Sequence, residues 1–237
     1  MGRQVSGKQL LVTAGSLGGR LAQVVPAGAK VLLFLPNVPV WVRVLLAVLG
    51  AGRQPVLVDP RRPPEELEPA LVEQQPALIV TIDIGTVMDK LLQLQPAVPH
   101  AEIRVARFAT ELPFPRNLLF PLLRGGGLAN LPNDPRFARL ETAPATSPDP
   151  DRTWSGPLVL PTGEIQQAEL VADSSSLRAQ AGLEERWLLA TPLASRTGLT
   201  ALFAALQAGP TLVMTPRLDR QSLEKIERLG RIDRRLD

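Results

Sequence analysis

Residues 29–59, AKVLLFLPNVPVWVRVLLAVLGAGRQPVLVD, decide the fold. Residues 29–35 are a nearly unbroken apolar run. A strand that alternated apolar and polar would keep one face wet, whereas an unbroken run suits a strand buried on both faces. Pro36 and Asn37 end it. Residues 39–51 then carry apolar side chains at helical spacing, and Gly50 and Gly52 close the helix. PVLVD at 55–59 is a second short strand. Strand, helix and strand within about thirty residues make one βαβ unit, whose strands lie parallel in the sheet. The same stretch, taken as 31–52, has nearly the length of a membrane span. Pro36, Asn37, Pro39 and Arg43 interrupt it, so a buried strand followed by a helix describes it better.

The alternation continues outward. Pro63, Pro64, Glu65 and Glu66 open a helix, since proline and carboxylates both suit a first turn. ALIVTI at 77–82 is a third strand, 85–95 a helix, and EIRVARF at 102–108 a fourth strand. From 109 to 152 the rhythm fails: prolines and the glycine run 125–127 interrupt a stretch without periodicity, and ETAPATSPDPDRT at 141–153 reads as a linker. A second unit follows, with strands at 157–161, 187–191 and 211–215 and helices near 174–182, 198–208 and 219–229. Arg228, Arg231, Arg234 and Arg235 are expected in a solvated tail. The fold class is therefore α/β, built from parallel-sheet βαβ units. Its expected parts are a first subdomain over 1–110, a Pro/Gly-rich connector over 111–152 and a partial second subdomain over 153–237.

Composition excludes several functions. With 237 residues, 45% hydrophobic and 21% charged, the chain can bury a substantial core. The net charge of +3 is small and scattered, and no nucleic-acid-binding pattern accompanies it, so no nucleic-acid partner is expected. The absence of cysteine removes disulfides, thiolate metal sites and a thiol nucleophile. The opening MGRQVSGKQLL carries no signal-peptide pattern, which favours the cytoplasm.

The candidate site lies in GPLVLPTGEIQQAEL, residues 156–170. An apolar strand runs into Thr162 and Gly163, where a phosphate-cradling loop would begin. Such a loop needs glycines that let backbone N–H groups converge, hydroxyls, and usually a lysine. Glu164, Gln166, Gln167 and Glu169 follow instead, and carboxylates repel phosphates. Other clusters have plainer explanations. Gly15, Gly18 and Gly19 imitate a phosphate loop, but no apolar strand leads into them. Asp173 and Ser174 to Ser176 suit a helix N-cap. Asp59 before Pro60 suits a turn. Glu65, Glu66, Glu184 and Glu185 suit solvated or first-turn positions. His100 stands alone, without partners for a metal. No catalytic residue and no metal ligand is assigned.

The order of elements and several phrases resemble the adenylate-forming superfamily of acyl-CoA synthetases. Residues 31–81 are similar to its early segment, in which a strand ending in Pro-Asn precedes a helix and a strand ending in Asp-Pro. RFATELPFPRNLLFPLLR at 107–124 resembles the connector of long-chain fatty acid–CoA ligases, and 187–229 the segment after the nucleotide loop. The resemblance spans about residues 10–229. It implies the N-terminal subdomains of those enzymes, with Thr162 and Gly163 a remnant of the ATP loop. Where the family has Pro-Leu-aromatic-His, this chain has Pro192, Leu193, Ala194 and Ser195. The family's later adenine, ribose and hinge motifs, and its C-terminal lobe, find no counterpart before Asp237.

These departures imply a truncated, degenerate relative that binds a ligand or partner in fatty acyl metabolism without ATP-dependent ligation. No cofactor is expected on that basis. A working or split ligase would instead require ATP, Mg²⁺ and CoA. A third expectation is a peripheral membrane role, with Phe114, Leu118 and Leu119 touching lipid or an acyl chain. An incomplete sheet would leave edge or apolar area uncovered, so self-association or a completing partner chain is also expected.

Overall fold

The computed structural model describes residues 4–112, 127–140, 153–182 and 184–237. The chain opens with a helix the sequence expectations lack, α1 (Gly7–Val24). Ser6 accepts from the Gln9 N–H while the Gln9 side chain accepts from the Ser6 N–H, a reciprocal capping box. Gly15, Gly18 and Gly19 therefore sit inside a helix rather than in a phosphate loop. Gly18 has a packing role: a β-carbon there would stand 3.0 Å from the Ala47 carbonyl oxygen, and α1 lies against α2 (Pro39–Gly50) at this point.

The expected βαβ series then appears. β1 (Lys30–Phe34), α2, β2 (Gln54–Val58), α3 (Pro64–Gln74), β3 (Leu78–Ile82), α4 (Gly85–Leu94) and β4 (Glu102–Ala106) follow in order. All four strands run parallel, β1 pairing with both β2 and β3, and β3 with β4. Leu32, Leu33, Phe34, Ile79 and Val80 are completely buried. Each buried side chain of this size contributes roughly 1.5–3 kcal/mol, which is why unbroken apolar runs mark these strands. α1 packs on α2, and α3 on α4. Right-handed crossovers place the first pair on one face of the sheet and the second on the other.

Beyond β4 the structure corrects several expectations. The connector is not wholly irregular: a short 3-10 helix covers Phe108–Glu111, and β5 (Phe137–Arg139) joins the sheet parallel to β4. β6 (Leu158–Leu160), expected with the later unit, pairs with β2 through Val56 and Val159, and β7 (Gly163–Ile165) folds back antiparallel upon it. The sheet order is β5-β4-β3-β1-β2-β6-β7.

The next helix, α5 (Gln167–Ala179), begins seven residues before the predicted 174. Ser174 is consequently not a cap. It is buried inside the helix, donates to the Val171 carbonyl at 2.8 Å and accepts from the Gln207 amide at 3.2 Å. Asp173 is turned to Arg196, at 2.7 Å. Serine favours caps because its hydroxyl competes for nearby backbone; here that hydroxyl is satisfied without ending the helix.

β8 (Arg186–Leu189), α6 (Arg196–Ala208), β9 (Thr211–Val213), α7 (Arg220–Gly230) and β10 (Arg234–Leu236) complete the chain. They form a parallel three-stranded sheet in the order β10-β8-β9, with α5 packed on α6. The predicted arginine tail is thus partly a strand. Arg234 stacks 5.4 Å over the Trp187 ring, and Arg235 pairs with Glu227 and Asp237. Glu185, expected to be solvated, accepts the Trp187 indole N–H at 2.6 Å. Leu189, Leu193, Leu199 and Leu202 join the same buried cluster as the first sheet, so one core spans both.

Candidate functional site

Thr162 and Gly163 lie at the tip of a β-hairpin. Leu160 pairs with Gly163, which leaves Pro161 and Thr162 as a two-residue turn. Gly163 has φ +118°, a conformation that favours glycine at such a reversal. All of 161–164 are exposed. A turn this short offers no row of converging N–H groups. Beside it is a shallow groove of about 270 Å³ between α3 and the hairpin. Glu73 and Glu164 are among the residues lining it, as is Gly163.

Ser195 stands where the resemblance led to expect a histidine. Its hydroxyl caps α6, accepting from the Gly198 N–H at 3.1 Å and donating to the Pro192 carbonyl at 2.7 Å. A β-carbon at Gly198 would lie 2.8 Å from the Pro192 carbonyl carbon, so the turn closes tightly on this residue. His100 is exposed in a turn. Asp59 holds the turn after β2, accepting from the Arg61 N–H at 3.0 Å and pairing with its guanidinium. Phe114, Leu118 and Leu119 lie outside the described residues. Among the described residues, no group of three or more metal-ligating side chains occurs, and no helix is long and apolar enough to cross a membrane.

A larger concavity than this groove lies elsewhere. A cleft of about 460 Å³ opens at the carboxyl ends of β1, β2, β3 and β4, where Pro36, Pro60, Ile84 and Phe108 follow the strands. Pro216 and Arg217, beyond β9, form its far wall. The sheet order runs outward from β1 in both directions, to β2 on one side and β3 on the other. Ligand crevices of open parallel sheets form at such switch points.

Buried polar side chains brace this end of the sheet. The Asn37 amide donates to the Thr191 carbonyl at 2.7 Å and accepts from the Leu193 N–H at 2.9 Å, tying the end of β1 to the turn before α6. Glu111, also buried, accepts from the Val40 N–H at 3.0 Å at the start of α2, where the helix dipole favours a carboxylate. Asp83 accepts from the Phe108 N–H at 2.6 Å and from Arg139 at 2.8 Å. On the opposite side, Arg53 is buried against carbonyls of Ala22 and Val25 at the end of α1, and of Ala51. These cross-links were hidden in the sequence, because all but the Arg53–Ala51 bond join residues at least 25 positions apart in the chain. Only Asn37 carried a signal, as the last residue of the Pro-Asn pair.

The family model of the AMP-binding enzymes matches residues 1–135, more than half of the chain. The chain belongs to the AMP-binding enzyme family. This family member is 33% identical over 95 residues to the long-chain-fatty-acid–CoA ligase of Bacillus subtilis (strain 168), an alignment covering 40% of this chain and 17% of the ligase. Its fold is that of the N-terminal part of known structures. One is the O-succinylbenzoate–CoA synthetase of Bacillus subtilis in complex with ATP and magnesium, with TM-score 0.65, 18% identity, and coverage of 98% of this chain and 57% of that one. Another is the amide bond synthetase of Marinactinospora thermotolerans, with TM-score 0.69, 18% identity and coverage of 98% and 43%. The AMP-binding family member therefore spans 17% of its curated relative and about half of these structures.

Proposed function

We propose that this member of the AMP-binding family does not carry out ATP-dependent acyl-CoA ligation and serves as a binding or partner module in fatty acyl metabolism. The observation that carries the proposal is the hairpin at Pro161 and Thr162. A triphosphate needs convergent N–H donors and cations. The hairpin tip offers one hydroxyl, on Thr162, beside a groove lined by Glu73 and Glu164. At a few ångströms, carboxylates oppose a phosphate by energies of order 1–4 kcal/mol at surface dielectric. The similarity to a long-chain-fatty-acid–CoA ligase supports the acyl connection. Among the described residues β9 and β10 are the edge strands of the small sheet, which supports a partner role.

The test is pyrophosphate release by the purified chain with ATP, Mg²⁺, palmitate and CoA, alongside calorimetric titration with ATP. The expected results are no turnover and no heat at millimolar ATP. Clear turnover by the chain alone overturns the proposal. A second reading is a ligase completed by another polypeptide, and the partial coverage of the relatives favours it. It predicts turnover that emerges only when a second chain carrying the rest of the relatives' length is added.

A further inference from the structure

We infer that this chain associates head to tail with a second copy of itself, the exposed Leu229 at the end of α7 of one copy entering the groove between α3 and the β6–β7 hairpin of the other. The inference goes beyond the reading above and does not depend on whether the chain ligates anything.

The two surfaces match in shape and in charge. Leu229 is 69% exposed, the highest value among the large apolar side chains of the described residues. The carboxylates of its own helix are already engaged. Glu224 pairs with Arg220 at 2.7 Å and Glu227 with Arg235 at 3.2 Å, while Asp219 caps α7 through Ser222. Lys225, one turn before Leu229 and on its face, is exposed, as are Arg228 and Arg231. Among the described residues none of these three cations pairs with a carboxylate.

The groove is the counterpart. Its volume is about 270 Å³, and Val56, Ala70, Val159 and Leu160 are among its apolar walls. The charged residues lining it are Glu73 and Glu164, with no cation among them. Both are exposed, and Glu164 accepts only from the Gln54 amide, at 3.4 Å. An apolar knob ringed by unmatched cations thus fits an apolar recess rimmed by unmatched carboxylates. Leu11 and Val12 of α1 are almost as exposed, at 67% and 65%, but have only Lys8 within a turn and match the recess less well. Among the described residues no hydrogen bond or ion pair joins α7 to α3 or to the hairpin, so each surface is available to a neighbour.

Knob and socket are different patches, and every copy carries both. Such a heterologous contact builds rings or open chains rather than a two-fold dimer. One apolar side chain and a few exposed ion pairs place it among weak interfaces.

The experiment is sedimentation velocity of the whole chain, up to millimolar concentration, at about 50 mM and about 500 mM salt. The mean mass is expected to rise with concentration in low salt and to return toward the monomer in high salt, which screens exposed charges. Three variants should each raise the concentration needed for association at least about tenfold: Leu229→Glu, Glu73→Arg with Glu164→Arg, and Lys225→Glu with Arg228→Glu. An equimolar mixture of the two charge-reversed chains should associate again, because each finds its complement in the other; loss through misfolding would not be rescued in this way. All five positions are exposed, so the variants should keep the wild-type melting temperature. Leu11→Glu should leave association unchanged. A monomer at millimolar concentration in low salt, association that survives Leu229→Glu or is undiminished by salt, or no rescue in the mixture would overturn the inference. None of these outcomes bears on pyrophosphate release.

Discussion

Replacing Asn37 with alanine removes a side chain that hydrogen-bonds the end of β1 to Thr191 and Leu193 of the turn before α6. Asn37 is 6% exposed, and its two bonds, 2.7 Å to the Thr191 carbonyl and 2.9 Å from the Leu193 N–H, reproduce the pairing of a peptide group. Alanine leaves a carbonyl and an N–H without partners in a site that excludes most water. A buried polar group left unpaired costs about 1–3 kcal/mol, so the two together should cost ~3 kcal/mol. For a chain of this size that corresponds to a fall in melting temperature of about 6–12 °C. Hydrogen exchange gives the local readout: the Leu193 amide should lose protection well before amides of β3. Asn37→Asp sharpens the case. At neutral pH its carboxylate still accepts from Leu193 but cannot donate to Thr191, so it should be destabilised by a similar amount. A melting temperature within about 2 °C of wild type in Asn37→Ala, with Leu193 still protected, would refute the bridge; so would an Asn37→Asp chain as stable as wild type.

Two further outcomes follow from local geometry. Gly198→Ala would set a β-carbon 2.8 Å from the Pro192 carbonyl carbon and 3.0 Å from the Leu193 Cα, both backbone, so the turn must open. Overpacking of this kind costs roughly 1–3 kcal/mol or more, and urea unfolding should show at least that loss; an unchanged midpoint would contradict the close approach. Asp134 sits before β5, where hydrogen bonds from the Arg136 side chain, then from its backbone N–H, hold the carboxyl down to about 2. Its folded value lies below that of the unfolded chain, so the contribution is present above the ordinary aspartate range and is lost as pH falls toward 2. Carboxyl NMR titration should find Asp134 ionised at pH 3, and Asp134→Asn should flatten the acid-side loss of protection in β5. An Asp134 midpoint near the usual aspartate value would refute the pairing.

The unbroken apolar runs at 29–35 and 77–82 and the helical spacing at 39–51 determined the parallel βαβ core on their own, because burial on both faces leaves no other use for such residues. That no lysine follows Thr162 and Gly163 before Glu169, and that Glu164 does, is read from the sequence alone. The sequence could not place β6 and β7. Their three residues each pair with strands a hundred positions away or with each other, and Gly163 becomes a hairpin residue only once Leu160 meets it. α1 was missed because its inward residues, Ala14, Gly18 and Gly19 among them, look unlike a core face until α2 lies against them. The cleft is wholly a tertiary product. Lys90 comes from the middle of α4 and Arg217 from the turn before α7, and each reads as an ordinary surface cation in the chain. Only the placing of β1 between β2 and β3, the sheet's switch point, brings them to one apolar mouth, where backbone carbonyls hold the lysine.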